Sequence, residues 1–211
     1  MAVRVALTID TEQRGRPASE GNPGRLLDVL AAAATPATFF VQGRWAGAYP
    51  VLTRRIRDDG HLIGNHSYYH APLDLLTDAG IRDSVGRAQE VIVAVAGVDA
   101  RPWLRCPYGR GEDDPRVLGL LSELGYRQVG WDFETDDWED GRDAGELVET
   151  VVAGAIACGD GARVLLHSWP DVTAAALPRI IAGLKGAGAE MVTLGALGEA
   201  AARPAERGAA P

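Results

Sequence analysis

The stretch Val3-Arg4-Val5-Ala6-Leu7-Thr8-Ile9-Asp10 is apolar and β-branched and stops at a carboxylate. A nearly unbroken apolar run of this length describes a strand covered on both faces, the kind found in parallel sheets. Similar short runs recur at residues 38–41, 61–65, 103–106, 126–131, 164–167 and 191–194, with helical patterns between them at 25–34, 45–58, 73–96, 116–124, 145–158 and 174–185. Within 73–96, Thr77 or Asp78 can cap an internal helix start, and Pro115 suits the first position of the next helix. Strand and helix alternate seven times, which requires parallel pairing with helical crossovers. A barrel or an open doubly wound sheet would satisfy that alternation. No Gly-x-Gly-x-x-Gly or Gly-x-x-x-x-Gly-Lys follows any strand, so a (β/α)-barrel of about seven parallel strands with outer helices is the expected α/β fold.

Bulk properties narrow the function. The 211 residues suit one domain, expected over residues 1–200, with the Ala/Pro/Gly-rich residues 201–211 as a flexible tail. A net charge of -8 argues against nucleic acid and anionic membranes as partners. The first apolar run is too short for a signal peptide, and no run of about 18 apolar residues exists, so a cytoplasmic location is expected. Cys106 and Cys158 lack any partner motif and suggest no disulfide framework. Cys106 is expected in the core.

The reactive side chains concentrate at one end of the strands. Asp10, His66, His70, Arg105, Asp137 and His167 fall at or just beyond C-terminal strand ends, where barrel enzymes keep their chemistry. His61 begins its strand and is expected to be structural. In Gly64-Asn65-His66-Ser67-Tyr68-Tyr69-His70, the two His lie four residues apart, which on a helical turn puts both imidazoles on one side. Neutral imidazoles are common metal ligands, and a site with three protein ligands keeps a position open for water.

Five ordered motifs then carry a resemblance: Thr8-Ile9-Asp10, His66-Ser67-x-x-His70, Arg105-x-Pro107-Tyr108-Gly109, Asp137-Trp138 and Leu165-Leu166-His167. Together they resemble the polysaccharide deacetylase (NodB-homology, carbohydrate esterase 4) family, from Val3 to about Leu194. The resemblance implies a distorted (β/α)-barrel short of eight repeats. It also implies a general base at Asp10, aimed by Arg105, and a proton donor at His167, oriented by Asp137. By the same resemblance the Tyr108 backbone N–H helps hold the oxyanion, and Leu165 and Trp138 form a small pocket for the acetyl methyl. Ser67 is expected to brace the ligand loop.

The first motif departs from the family's two adjacent acids, because Thr11 follows Asp10. Glu12 supplies a carboxylate one residue later, so Glu12, His66 and His70 are the expected metal triad. Zn²⁺ is the first-choice ion, with Fe(II), Co(II) and Mn(II) also suited to such ligands. Ser168 stands where an acid often follows the last motif. The resemblance thus implies a metal-dependent hydrolase that removes an N-acetyl group from an amino-sugar-containing saccharide. The alternatives are the same machinery acting on O-acetyl esters or a non-sugar amide or cyclic imide, and an inactive carbohydrate-binding relative. Either enzyme reading makes the partner a saccharide or another small acetylated substrate.

Overall fold

A computed structural model describes residues 2–12 and 21–198; the expected tail at 201–211 lies outside the described residues. The elements are β1 (Val3–Thr11), α1 (Gly21–Ala32), β2 (Thr38–Val41), α2 (Gly43–Ala48), α3 (Pro50–Asp58), β3 (Leu62–Asn65), α4 (Asp78–Ala96) and β4 (Trp103–Leu104). They continue with α5 (Pro115–Glu123), β5 (Arg127–Gln128), α6 (Ala144–Cys158), β6 (Ala162–His167), α7 (Asp171–Gly186), β7 (Ala189–Met191) and α8 (Leu194–Leu197). The described residues divide into two compact units, residues 2–9, 21–38 and 131–198 in one and residues 10–12 and 39–130 in the other.

In the first unit, β1 pairs in parallel with β7, with Val3 opposite Ala189 and Val5 opposite Met191, and also neighbours β6. Thr8 inside this strand donates its hydroxyl to the Val164 carbonyl at 2.6 Å, so its one polar group is satisfied. Helix α7 packs against α6 and α1. Leu26, Leu27 and Leu30 of α1 are fully or almost fully buried, each worth about 1.5–3 kcal/mol of burial.

In the second unit the strand order is β5-β4-β3-β2-β1, and α4 packs against α2, α3 and α5. Two proteinogenic signals shape its helices. Thr77 caps α4, its hydroxyl accepting from Gly80 N at 3.2 Å, as expected. The single helix expected over 45–58 is instead two, broken at Tyr49 (φ -123, ψ 62), because Pro50 disfavours helical geometry in the residue before it. The expected strands 103–106 and 126–131 shrink to two residues each, yet Arg105 N still bonds Asn65 O at 3.0 Å and Val129 N bonds Leu104 O at 2.8 Å. Arg105 is therefore held at the end of a strand ladder, just before Pro107 turns the chain.

Gly64 on β3 decides how that end is filled. A Cβ there would lie 2.7 Å from the Phe40 ring, so only glycine lets Phe40 approach. The Arg105 guanidinium then sits 4.3 Å above the Phe40 ring.

Candidate active site

The second unit brings Glu12, His66 and His70 together, with one ligand atom from each within 4.8 Å of the others. The two imidazole Nε2 atoms are 3.1 Å apart, and His70 Nε2 contacts Glu12 Oε2. His66 Nδ1 lies 2.9 Å from the Arg105 carbonyl, which can only accept, so Nδ1 carries the hydrogen and Nε2 carries the lone pair. Burial is the main cause that lowers the His66 pKa to about 4, against the nearby Asp10 carboxylate, which raises it. A neutral His66 thus points its lone pair at Asp10 Oδ2, 3.5 Å away, and Glu12 Oε2, 3.9 Å away. A lone pair gathered with two buried carboxylates is reconciled by a cation, so this donor set fits a divalent metal.

The His pair converges for a different reason from the expected helical turn. Residues 66–70 are not helical, and Ser67 and His70 both adopt left-handed backbone (φ 59 each), at a cost of order 1–3 kcal/mol per residue. Tertiary bonds hold that conformation. His66 N bonds Val41 O at 3.1 Å, and Gly43 N and Arg44 N donate to Ser67 O and Tyr68 O at 2.9 and 3.4 Å. Tyr68 N donates to the Ser84 hydroxyl at 3.1 Å, and His70 N donates to the Ser67 hydroxyl at 3.2 Å, the bracing expected of Ser67. Asn65, not foreseen as a site residue, closes the loop by accepting from Ser67 N at 2.8 Å. Its signal was available, since an Asn at a strand end forms such side-chain turns readily.

Asp10 and Glu12 lie on the same side of β1's end, and Thr11 between them donates its hydroxyl to the Phe40 carbonyl at 3.3 Å. Asp10 Oδ1 accepts from Arg105 Nη1 at 2.9 Å. The other arms of that buried guanidinium are fixed on Val129 O and Gly130 O at 3.1 and 3.0 Å. Arg105 therefore aims one Asp10 oxygen and leaves the other turned toward the imidazoles. Tyr108 also takes a left-handed conformation (φ 57), and its ring packs edge-on to His70 with centroids 4.5 Å apart. Its side chain is 57% exposed.

The first unit holds the second ionisable pair. His167 ends β6, and its Nδ1 lies 2.7 Å from Asp137 Oδ1. Asp137 is fully buried, and its Oδ2 accepts from His167 N at 2.7 Å and from the Thr173 hydroxyl at 2.6 Å. A carboxylate on Nδ1 makes Nε2 the nitrogen that can hand on a proton. Thr173 was not foreseen; nothing in the spacing marks a helix residue 36 positions on as a partner. Leu165 is 5% exposed and Trp138 is 41% exposed, while the Trp169 ring lies 6.0 Å from His167. Trp45 and Trp131 are core residues. His61 is buried beside the Phe39 ring, with ring centroids 5.3 Å apart. Cys106 is buried too, and burial pushes its thiol pKa up to about 12.

Known proteins of similar sequence and structure identify the family. Residues 2–129 match the polysaccharide deacetylase family. Over 191 residues, 90% of this chain, the sequence is 33% identical to the peptidoglycan-N-acetylglucosamine deacetylase PgdA of Listeria monocytogenes, and it spans 38% of that protein's length. A family 4 carbohydrate esterase from Streptomyces lividans, solved in complex with acetate, superposes with a TM-score of 0.78 at 31% identity, covering 90% of this chain and 91% of that one. A Bacillus anthracis protein described as a family 4 pseudoenzyme superposes at 0.81 with 26% identity, covering 93% and 65%. The fold is thus the expected distorted (β/α)-barrel. With its ordered motifs, its matched fold and its matched sequence, the chain belongs to the polysaccharide deacetylase family, carbohydrate esterase family 4.

Proposed function

We propose that this chain is a metal-dependent hydrolase that removes the acetyl group from an N-acetylated amino sugar, releasing acetate. The observation that carries this reading is the convergence of Glu12, His66 and His70 beside the Asp10–Arg105 pair. These three residues would hold a divalent cation, with Zn²⁺ as first choice. When bound, the cation supplies polarisation of the acyl carbonyl and acidification of the attacking water. Asp10 takes the proton of that water as it attacks, with its carboxylate aimed by Arg105. The Tyr108 N–H donates to the oxyanion that develops on the carbonyl oxygen. His167 gives a proton to the departing amine as the C–N bond breaks, and Asp137 stabilises the imidazolium that precedes the transfer. Leu165 and Trp138 enclose the acetyl methyl.

A catalytically silent carbohydrate binder is the competing class, and the pseudoenzyme among the similar structures makes it a real one. Against it stand the Glu12, His66 and His70 group, whose ligand atoms converge, and the Asp10–Arg105 pair. Elemental analysis of the purified chain, followed by acetate release across N-acetylated chito-oligosaccharides, O-acetylated sugars and non-sugar amides, tests the proposal. Stoichiometric divalent metal with acetate from the N-acetyl sugars supports it; saccharide binding with neither metal nor turnover refutes it. Glu12→Ala is expected to weaken metal binding about 100-fold or more, and unchanged affinity would remove Glu12 from the triad. A cytoplasmic enzyme would meet soluble N-acetylated saccharides, so cell fractionation together with rates on oligosaccharide and polymer checks the proposed location.

A further inference from the structure

We infer that Asn65 and Tyr126 are positioning residues for the metal ligand His70, and that their hydrogen bonds help set the cation affinity of the Glu12–His66–His70 site. The inference rests on the metal-binding reading above and extends it to residues that touch neither metal nor substrate. Three observations carry it. First, the loop between the two His ligands is strained at Ser67 and His70, so something must select its conformation. Second, the selecting contacts run in series: His70 N donates to Ser67 Oγ, and Ser67 N donates to Asn65 Oδ1. Third, Asn65 is itself clamped. Its Nδ2 donates to the Val85 carbonyl and to the Tyr126 hydroxyl, both at 3.1 Å.

The chain of bonds has one polarity. The Val85 carbonyl can only accept and the Ser67 N–H can only donate, so the Asn65 amide cannot flip without two repulsive contacts. The Tyr126 hydroxyl accepts from Asn65 and passes its own hydrogen to Gln89 Oε1 at 2.7 Å. Gln89 Nε2 then donates to Asp99 Oδ1 at 2.8 Å, which joins the series to the exposed Asp99–Arg101 ion pair. Asn65 is fully buried and Tyr126 is 5% exposed, so water does not readily replace a lost partner there. Removing the Tyr126 hydroxyl leaves the Asn65 Nδ2 held by the Val85 carbonyl alone and widens the motion of the amide about that single bond. That loosens the Ser67 N–H, and with it the hydroxyl that fixes the His70 backbone.

The test measures the zinc Kd of the apo 211-residue chain by competition with a chromophoric chelator, alongside the thermal midpoint. Tyr126→Phe keeps the ring in its apolar cluster and is expected to raise the zinc Kd about fivefold, the effect of one lost hydrogen bond. Asn65→Leu removes the Ser67 acceptor and is expected to raise it about 10- to 100-fold. Val151→Ala, a core truncation on α6, is the control: it lowers the thermal midpoint and leaves the Kd unchanged. A purely structural role predicts the reverse pattern, with Tyr126→Phe losing stability while its Kd stays at the wild-type value, and that result overturns the inference. Equal Kd shifts in Val151→Ala and Tyr126→Phe overturn it as well. If Asn65→Leu does not fold, the Tyr126→Phe result decides alone. Wild-type protein that takes up no zinc, cobalt, iron or manganese sinks the metal reading first and this inference with it; normal wild-type uptake with an unmoved Tyr126→Phe sinks only the positioning role.

Discussion

Two buried Asp–Arg pairs, one in each unit, look alike by distance and differ in what they leave unspent. In the first unit Arg163 encloses Asp132: its backbone N and Nε reach Oδ2 at 2.8 and 3.3 Å, and Nη2 reaches Oδ1 at 2.5 Å. Asp132 N returns a bond to Arg163 O at 3.0 Å, so both carboxylate oxygens are consumed in tying two segments together. In the second unit Arg105 spends two arms on backbone carbonyls and only one on Asp10 Oδ1. Asp10 Oδ2 remains turned toward His66. A buried ion pair with every valence closed is a staple; one with an oxygen held back can move a proton. Burial and charge alone do not separate the two.

Removing the charge from each carboxylate should break that likeness most sharply. Asp10→Asn is expected to lower turnover by about 10²- to 10⁴-fold with metal still bound, measured as acetate release alongside elemental analysis. Turnover near the wild-type rate would return Asp10 to the structural class. Asp132→Asn should instead cost about 3–5 kcal/mol in urea unfolding, because it leaves Arg163 buried without its counter-charge, while the folded fraction turns over normally. A catalytic defect in that variant larger than its folding defect would erase the distinction.

Smaller effects sharpen the comparison. Thr173→Val removes one of the bonds that hold Asp137 and should reduce kcat about fivefold with KM unchanged. A shift confined to KM would mean that Thr173 serves binding and not the proton donor. Cys106 tests burial without pairing. Its folded pKa, about 12, is raised above the ordinary thiol range, so the unfolded chain gives up that proton first as pH rises. Its contribution to stability is therefore complete below pH of about 9 and fades between there and about 12. At pH 8 a thiol reagent should label the exposed Cys158 and leave Cys106 untouched until the protein unfolds. Two labels on native protein would contradict the burial.

Much of this was legible in the chain because strand ends write their chemistry in order. Asp10, Arg105 and His167 each close an apolar run, and Asp137 meets His167 as the motif order implied. The proximity of Glu12 to both His was also readable from its place just past the first strand. The loop at 66–70 was not readable. Spacing alone favoured a helical turn, whereas its left-handed residues depend on Gly43, Arg44 and Ser84, which sequence separates by many positions. Asp132 was hidden for the same reason among five other acids, its partner lying 31 residues on. The break before Pro50 was written plainly and outweighed by an apolar pattern that ran through it.

Gly43 gives the ligand loop a steric constraint of its own. A Cβ at that position would fall 2.6 Å from the Tyr68 ring and 2.8 Å from the Ala88 backbone, and the Gly43 N–H is already committed to Ser67 O. Any side chain at position 43 would therefore have to displace both the Tyr68 ring beside the ligand loop and the α4 backbone at Ala88, so the loop and α4 can close on each other only across a bare backbone.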